Sequence, residues 1–271
     1  LFAVQNLLDI RFLWSGAPLP AGVTMAEYAH RGAYPLIATA LLAALFVLLA
    51  FPAGGRVRRP GALHLLVLLW IVQNMLLVAS SILRTLDYVQ AYSLTVLRIS
   101  ALLWMALVGM GLALICWRLL AGHGNRWLIN ANGCAVMAVL ALCSIVDLRE
   151  VAARWNIAHA RETGGDGPAL DLCYIGQLGP SALLPVTDLA MRVGKDDFGD
   201  RVRHVRALVL ASTVVRQHDE RWSARNGRRL AAVAGLEIAP PLPVPTGSVR
   251  DCGGEIRRIG DAAPLTPEPA Q

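Results

Sequence analysis

Gln73 and Asn74, then Arg84, Tyr88, Tyr92, Thr95 and Arg98, crowd into an otherwise apolar part of the chain. Guanidinium groups beside neutral donors are side chains suited to holding an anionic group, and they hold it more strongly where water is excluded. Gln73, Ser80 and Arg84 are spaced by seven and then four residues, so on a helix they form one polar stripe. Tyr92, Thr95 and Arg98 complement it from the next segment. Two explanations compete. In one, Arg84 and Arg98 line a pocket open to the outer side, with Gln73 and Asn74 at its floor. In the other, which needs fewer assumptions, Gln73 and Asn74 hydrogen-bond neighbouring helices and Arg98 snorkels outward from one turn inside its segment.

Other chemistries lack their residues. No G-x-S-x-G elbow, phosphate loop or dinucleotide fingerprint is present, and Ser80, Ser81 and Ser144 have no nearby base in sequence. The six histidines are not paired at helical spacing with a carboxylate or a second histidine inside a span. The five cysteines form no C-x-x-C pair, so neither a metal site nor a cofactor is expected. Cys116, Cys134 and Cys143 sit in apolar runs as small apolar groups. Cys173 and Cys252 lie outside them, and spacing does not tell whether they pair. No catalytic residue is assigned, and a non-enzyme is the expectation.

The elements that must position the polar residues are four apolar spans, 34–51, 62–83, 93–117 and 127–146, of 18 to 25 residues with Arg98 the one Asp, Glu, Lys or Arg inside them. A helix needs roughly 20 residues to cross the hydrocarbon, so each suffices. Residues 1–14 read as the last turns of a further span, and the chain is expected to be a fragment. Of 271 residues, 55% are hydrophobic and 16% charged, well short of the roughly one quarter usual in soluble domains. The net charge of +6 is scattered rather than gathered in a Lys/Arg block, which argues against nucleic acid. Gly109 and Ala113 make a small-x-x-x-small pair that permits close helix approach.

Arg56, Arg58 and Arg59 in one loop, and Arg118 and Arg126 in another, are unopposed by acids, whereas the intervening loops carry one of each sign. The positive-inside rule puts the first two loops in the cytoplasm. The last span then runs outward, and everything after Asp147 lies on the outer, periplasmic side. Residues 147–236 read as a small helical domain. Leu148–Arg161 continues the last span, short helices cover 170–178 and 181–192 with a kink at Pro185, and a longer helix capped by Asp200 runs to about Trp222 with Val202, Val205, Leu208, Val215 and Trp222 on one face. Residues 239–271 contain seven prolines and four glycines, and 237–271 is expected to be a disordered tail.

The run Gln73-Asn74, Arg84, Tyr88, Tyr92, Leu94-Thr95 and Arg98 resembles the pattern of bacterial multi-pass membrane proteins gathered as domain-of-unknown-function family 4173. Trp127-Leu128, Asn130, Asn132, Ala153 to Ile157, Leu170-Asp171, Tyr174, Leu178-Gly179 and Ala182 extend the resemblance over roughly residues 1–225. It implies a polytopic inner-membrane protein with more spans before Leu1, and no established activity. The expectation is therefore all-α: a polytopic transmembrane bundle followed by a small helical extramembrane domain. Its role would be envelope-associated binding or regulation, with the bilayer and a protein engaged by 147–236 as partners. Transport of an anionic solute along the Gln73/Arg84/Arg98 stripe is the alternative, and an enzyme acting on lipid headgroups the third reading.

Overall fold

The computed structural model describes residues 62–220 and 223–259, together with Leu42. The chain divides into two compact units, Leu1–Val146 and Asp147–Gln271. The described part is helical apart from one small two-stranded ribbon. The stretches at 1–14 and 34–51 lie outside the described residues, apart from Leu42.

The first unit contributes α1 (Ala62–Tyr92), α2 (Val96–Ala121) and α3 (Asn125–Ile145). All three are long and apolar enough to cross a membrane. α1 runs nine residues past Leu83 because 84–92 contain neither proline nor glycine. It stops where Ser93 turns left-handed (φ 68) and Thr95 takes over as the cap of α2, its hydroxyl accepting from the Arg98 N–H. Gly122, at φ 71, ends α2 in the left-handed conformation that glycine adopts without strain. Val67, Ile71, Leu77 and Val78 of α1 pack with Leu112 and Ile115 of α2 and Leu128 of α3. A Cβ on Gly109 would stand 3.3 Å from Val78, so glycine lets α1 and α2 approach; Gly111 faces Asn132 of α3 at 3.2 Å in the same way. Ala113 is half-buried. Leu97, Trp104, Trp117 and Ile145 point outward, apolar surface of the kind lipid covers.

In the second unit, α4 (Leu148–His159) is a new helix rather than a continuation of the last span. Val146 is extended, and the Asp147 carboxylate accepts from the Arg149 and Glu150 N–H groups to restart the chain. Its C-terminal carbonyls are met by Gly165 and Gly167; a Cβ on Gly165 would stand 2.4 Å from the His159 oxygen. A short α5 (Leu172–Gln177), capped by Asp171, and a 3-10 turn at Gly179–Ala182 lead to α6 (Leu183–Arg192). Pro185 sits in the first turn of α6, where a missing N–H breaks no helical bond, and leaves no kink in the sequence's sense.

α7 (Asp197–Val215) is capped by Asp196, not Asp200. Asp200 falls inside the first turn and is buried. The inner face of α7 is Val202, Val205, Val209 and Thr213, while Leu208 and Val215, placed inward by the sequence reading, are exposed. These valines pack with Ala152, Ile157, Leu172, Ile175, Leu183, Val186 and Leu189 as the apolar interior of the unit. After α8 (Ala224–Val233) comes the stretch expected to be disordered. From 237 to 259 it is instead an ordered arm: β1 (Ser248–Arg250) pairs antiparallel with β2 (Ile256–Arg258), Val249 opposite Arg257. A disulfide and charged hydrogen bonds hold it, and neither leaves an aliphatic period in the sequence. Residues 260–271 lie outside the described residues.

Candidate functional site

The seven polar residues of the proposed pocket separate into three groups. Arg98, Tyr88, Tyr92 and Thr95 build the turn between α1 and α2. The Arg98 guanidinium donates to the carbonyl oxygens of Tyr92 (2.6 Å) and Ser93 and lies 4.3 Å from the Tyr88 ring centroid; Tyr88 in turn packs on Tyr92. Helix ends leave carbonyls without partners, and here a cation from the next helix satisfies them while the aromatic face spreads its charge. The guanidinium is committed to this clasp. Tyr92 itself is exposed.

Asn74 belongs to the second group. It is 2% exposed, on the same face of α1 as Val67, Ile71 and Val78; its amide donates to the Trp70 oxygen at 2.7 Å, and its own Oδ1 meets no hydrogen-bond donor among the described residues. The third group is Gln73 with Ser80, Ser81 and Arg84. Ser80, Ser81 and Arg84 are buried and Gln73 half-buried, so the stripe read from the sequence lies inside the unit rather than toward lipid. On α1, Asn74 and Arg84 are thus buried and Gln73 half-buried, and the described bonds of the Arg98 guanidinium are those of the turn.

Two charged centres of the second unit have no counterpart in the sequence reading. Asp147 caps α4 with Oδ1. Its Oδ2 receives the Ser181 hydroxyl at 2.7 Å and Arg229 of α8 at 2.6 Å, and Arg229 also reaches Glu150 at 3.0 Å. Burial by itself would raise the Asp147 carboxyl, but the Arg229 and Ser181 hydrogen bonds outweigh it and hold the group below the usual carboxylate range. Arg229 is held above its ordinary value by the same two acids, against burial. Each charge neutralises the other, which makes the cluster a latch rather than an acid or base.

The second centre joins the arm to α7. Asp200 and Arg250 pair at 2.6 Å with both side chains 5% exposed, and Asp200 also accepts from the Leu242 N–H at 2.6 Å. Arg250 donates to the Gly254 and Leu242 oxygens, and Arg201 to Gly253. Burial would raise Asp200, yet the Leu242 N–H and Arg250 hold it low; burial and Arg250 push the neighbouring His204 imidazole below its ordinary value. Beside this contact Cys173 of α5 and Cys252 of the arm form a disulfide across 79 residues of sequence, with Cα atoms 4.9 Å apart. The signals for these centres were faint: an Asp directly after an apolar span, and two cysteines outside the spans. Among the described residues no cluster of His, Cys, Asp and Glu is arranged to hold a metal ion.

No curated protein and no solved structure matches this chain. The specific resemblance to family 4173 is not confirmed. A different uncharacterised family model matches instead, and it covers the membrane helices, the Asp147 cap, Cys173 and Ser181 while stopping short of Arg229 and Cys252. With residues 1–189 matched, the chain belongs to the family described as Domain of unknown function (DUF4153).

Proposed function

We propose that this chain is a multi-pass protein of the bacterial inner membrane that carries its second unit on the outer, periplasmic side and uses it for envelope-associated binding or regulation. The Cys173–Cys252 disulfide carries the reading, because structural disulfides persist in oxidising compartments such as the periplasm and are rare in the cytosol. The charge pattern supports it independently: Arg118 and Arg126 flank the α2–α3 turn, which the positive-inside rule places inward, so α3 exits outward. The outer face of α7 supports a protein partner, since Leu208, Ala211, Val214 and Val215 are exposed together on one side of a rigid helix.

The orientation is tested in intact cells with a membrane-impermeant thiol reagent, after Cys116, Cys134 and Cys143 are replaced by Ala. Ser248→Cys should label and His123→Cys should not; the reverse result discards the outward placement. For the role, a photo-crosslinker at Ala211 should capture one protein species, and L208E should abolish the capture and reproduce the phenotype of deleting the second unit. A second reading is favoured by one observation, the burial of Arg84 with Ser80 and Ser81 inside α1. Anionic solute flux into liposomes that disappears in R84Q would put transport in place of binding.

A further inference from the structure

We propose that residues 239–243, Ala-Pro-Pro-Leu-Pro, are a preformed ligand for a protein groove walled by tryptophan and tyrosine side chains. Sterics set the backbone. Proline holds φ at about −65°, and a residue that precedes proline is driven to extended ψ. Pro240, Pro241, Pro243 and Pro245 meet the first condition and Ala239, Pro240, Leu242 and Val244 the second, which confines the stretch to a polyproline II ribbon. In the structure 236–245 is accordingly neither helix nor strand.

Such a ribbon repeats every three residues, so Ala239 and Leu242 share one edge, Pro240 and Pro243 a second, and Pro241 starts the third. The edges are not equally placed. Ala239, Pro240, Leu242 and Pro243 are exposed, and Pro241 between them is half-buried. Two Xaa-Pro pairs three residues apart, with the residue between them turned away, is the presentation that aromatic-lined grooves accept. The segment is also held in place. The Leu242 N–H donates to Asp200 at 2.6 Å and its carbonyl oxygen accepts from Arg250 at 2.9 Å, while its side chain stays 63% exposed. The ordering entropy that a loose proline-rich tail loses on binding is here lost at folding instead.

What can cover the segment follows from its donors. Within 239–245 only Ala239, Leu242 and Val244 carry an N–H, and that of Leu242 is taken, so addition to a sheet edge lacks its hydrogen bonds. Rings and carbonyl oxygens remain, and these suit flat aromatic faces with their N–H and O–H donors. Glu237 is the one charged residue from 230 to 249, so a basic rim on the groove gains attraction and an acidic rim does not. The surface lies wholly within the second unit and is independent of the side of the membrane that unit occupies.

The test titrates isotope-labelled SH3, WW and EVH1 domains, which recognise proline-rich segments in this way, with the full chain in nanodiscs, and follows the broadening of their groove resonances. At least one domain should bind, and should stop binding when its groove tryptophan is replaced by alanine. P240A/P243A should weaken that binding by about tenfold or more, whereas P241A, altered on the inward edge, should stay within about threefold. A non-reducing gel showing the Cys173–Cys252 bond keeps the comparison to variants whose arm is closed. Should the double variant lose that bond, L242E, which leaves every proline in place, should give the same tenfold loss by itself. No binding by any of the three domains, binding that survives loss of the groove tryptophan, or equal loss in P241A overturns the assignment.

Discussion

Arginine serves the two units in different ways. In the membrane unit the described guanidinium bonds run to backbone carbonyls: Arg98 to Tyr92 and Ser93, Arg118 to His123. In the second unit two arginines run to carboxylates, Arg229 to Asp147 and Glu150 and Arg250 to Asp200, while the buried Arg203 keeps to a backbone carbonyl, that of Gly194. The spans hold no acid over 93–117 and 127–146, and the open carbonyls at helix ends are the acceptors that remain where a second charge would itself need solvation. Outside the spans carboxylates are plentiful. Pairing them ties together segments as far apart as 82 residues, which apolar periodicity alone would leave loose.

The comparison predicts different sensitivities, beginning with the arm. Reducing the disulfide, or replacing it in C173S/C252S, should lower the stability of the second unit by roughly 4 kcal/mol, since a loop of this length leaves much entropy to the unfolded chain. Urea unfolding followed through Trp155 with and without reductant checks this, and an unchanged midpoint would make the arm an ornament rather than a fastener. Next, R250M strands the buried Asp200 carboxylate and should destabilise by about 3 kcal/mol, while D200L/R250M should recover part of that loss. An equal loss in single and double variants would show that the pair contributes packing alone.

The acids make the second unit pH-sensitive in a definite direction. Asp147 and Asp200 are held below the usual carboxylate range, so their contribution is complete above about pH 4 and is lost as the pH falls through the lowered folded values. His204 is also lowered, and its contribution fades below about pH 6.5. The urea midpoint should therefore drop modestly from neutral to pH 5 and steeply below pH 4; a flat profile would contradict the buried geometry of both carboxylates.

In the membrane unit the sensitive point is a contact of glycine. G109L drives a side chain into Val78 and should cost about 2 kcal/mol of α1–α2 packing, while G109A needs a shift of only a few tenths of an ångström and should fall within about 1 kcal/mol. Thermal aggregation in detergent separates the two. The smallest effect is expected at the clasp: R98Q loses charge-assisted bonds at an exposed turn and should shift stability by about 1 kcal/mol. A large loss of function in R98Q without loss of stability would return Arg98 to a ligand role.

Much of the membrane unit was legible. The apolar runs at 62–83, 93–117 and 127–146 fall largely within α1, α2 and α3, because a helix must satisfy its backbone in hydrocarbon and that demand writes itself as uninterrupted length. Gly109 was legible as a close approach for the same reason of local sterics. The second unit was harder. Asp200 looks like a cap, but the helix starts four residues earlier, where Asp196 accepts from the Gly199 N–H. Leu208 and Val215 were misplaced because the apolar residues of this helix lie on more than one face and only packing shows which face is inner.

From its sequence alone, this protein is a membrane-spanning helical chain with a polar stripe along its first described span and a helical appendage after Asp147, since span length and face periodicity are properties of consecutive residues. Tertiary structure alone decided that Cys173 finds Cys252 and that Asp147 and Asp200 recruit Arg229 and Arg250. Those partners lie tens of residues apart, beyond the reach of any local period. Of these ties, the disulfide and the Asp147 latch reach past residue 189 to complete a fold begun inside the DUF4153 region.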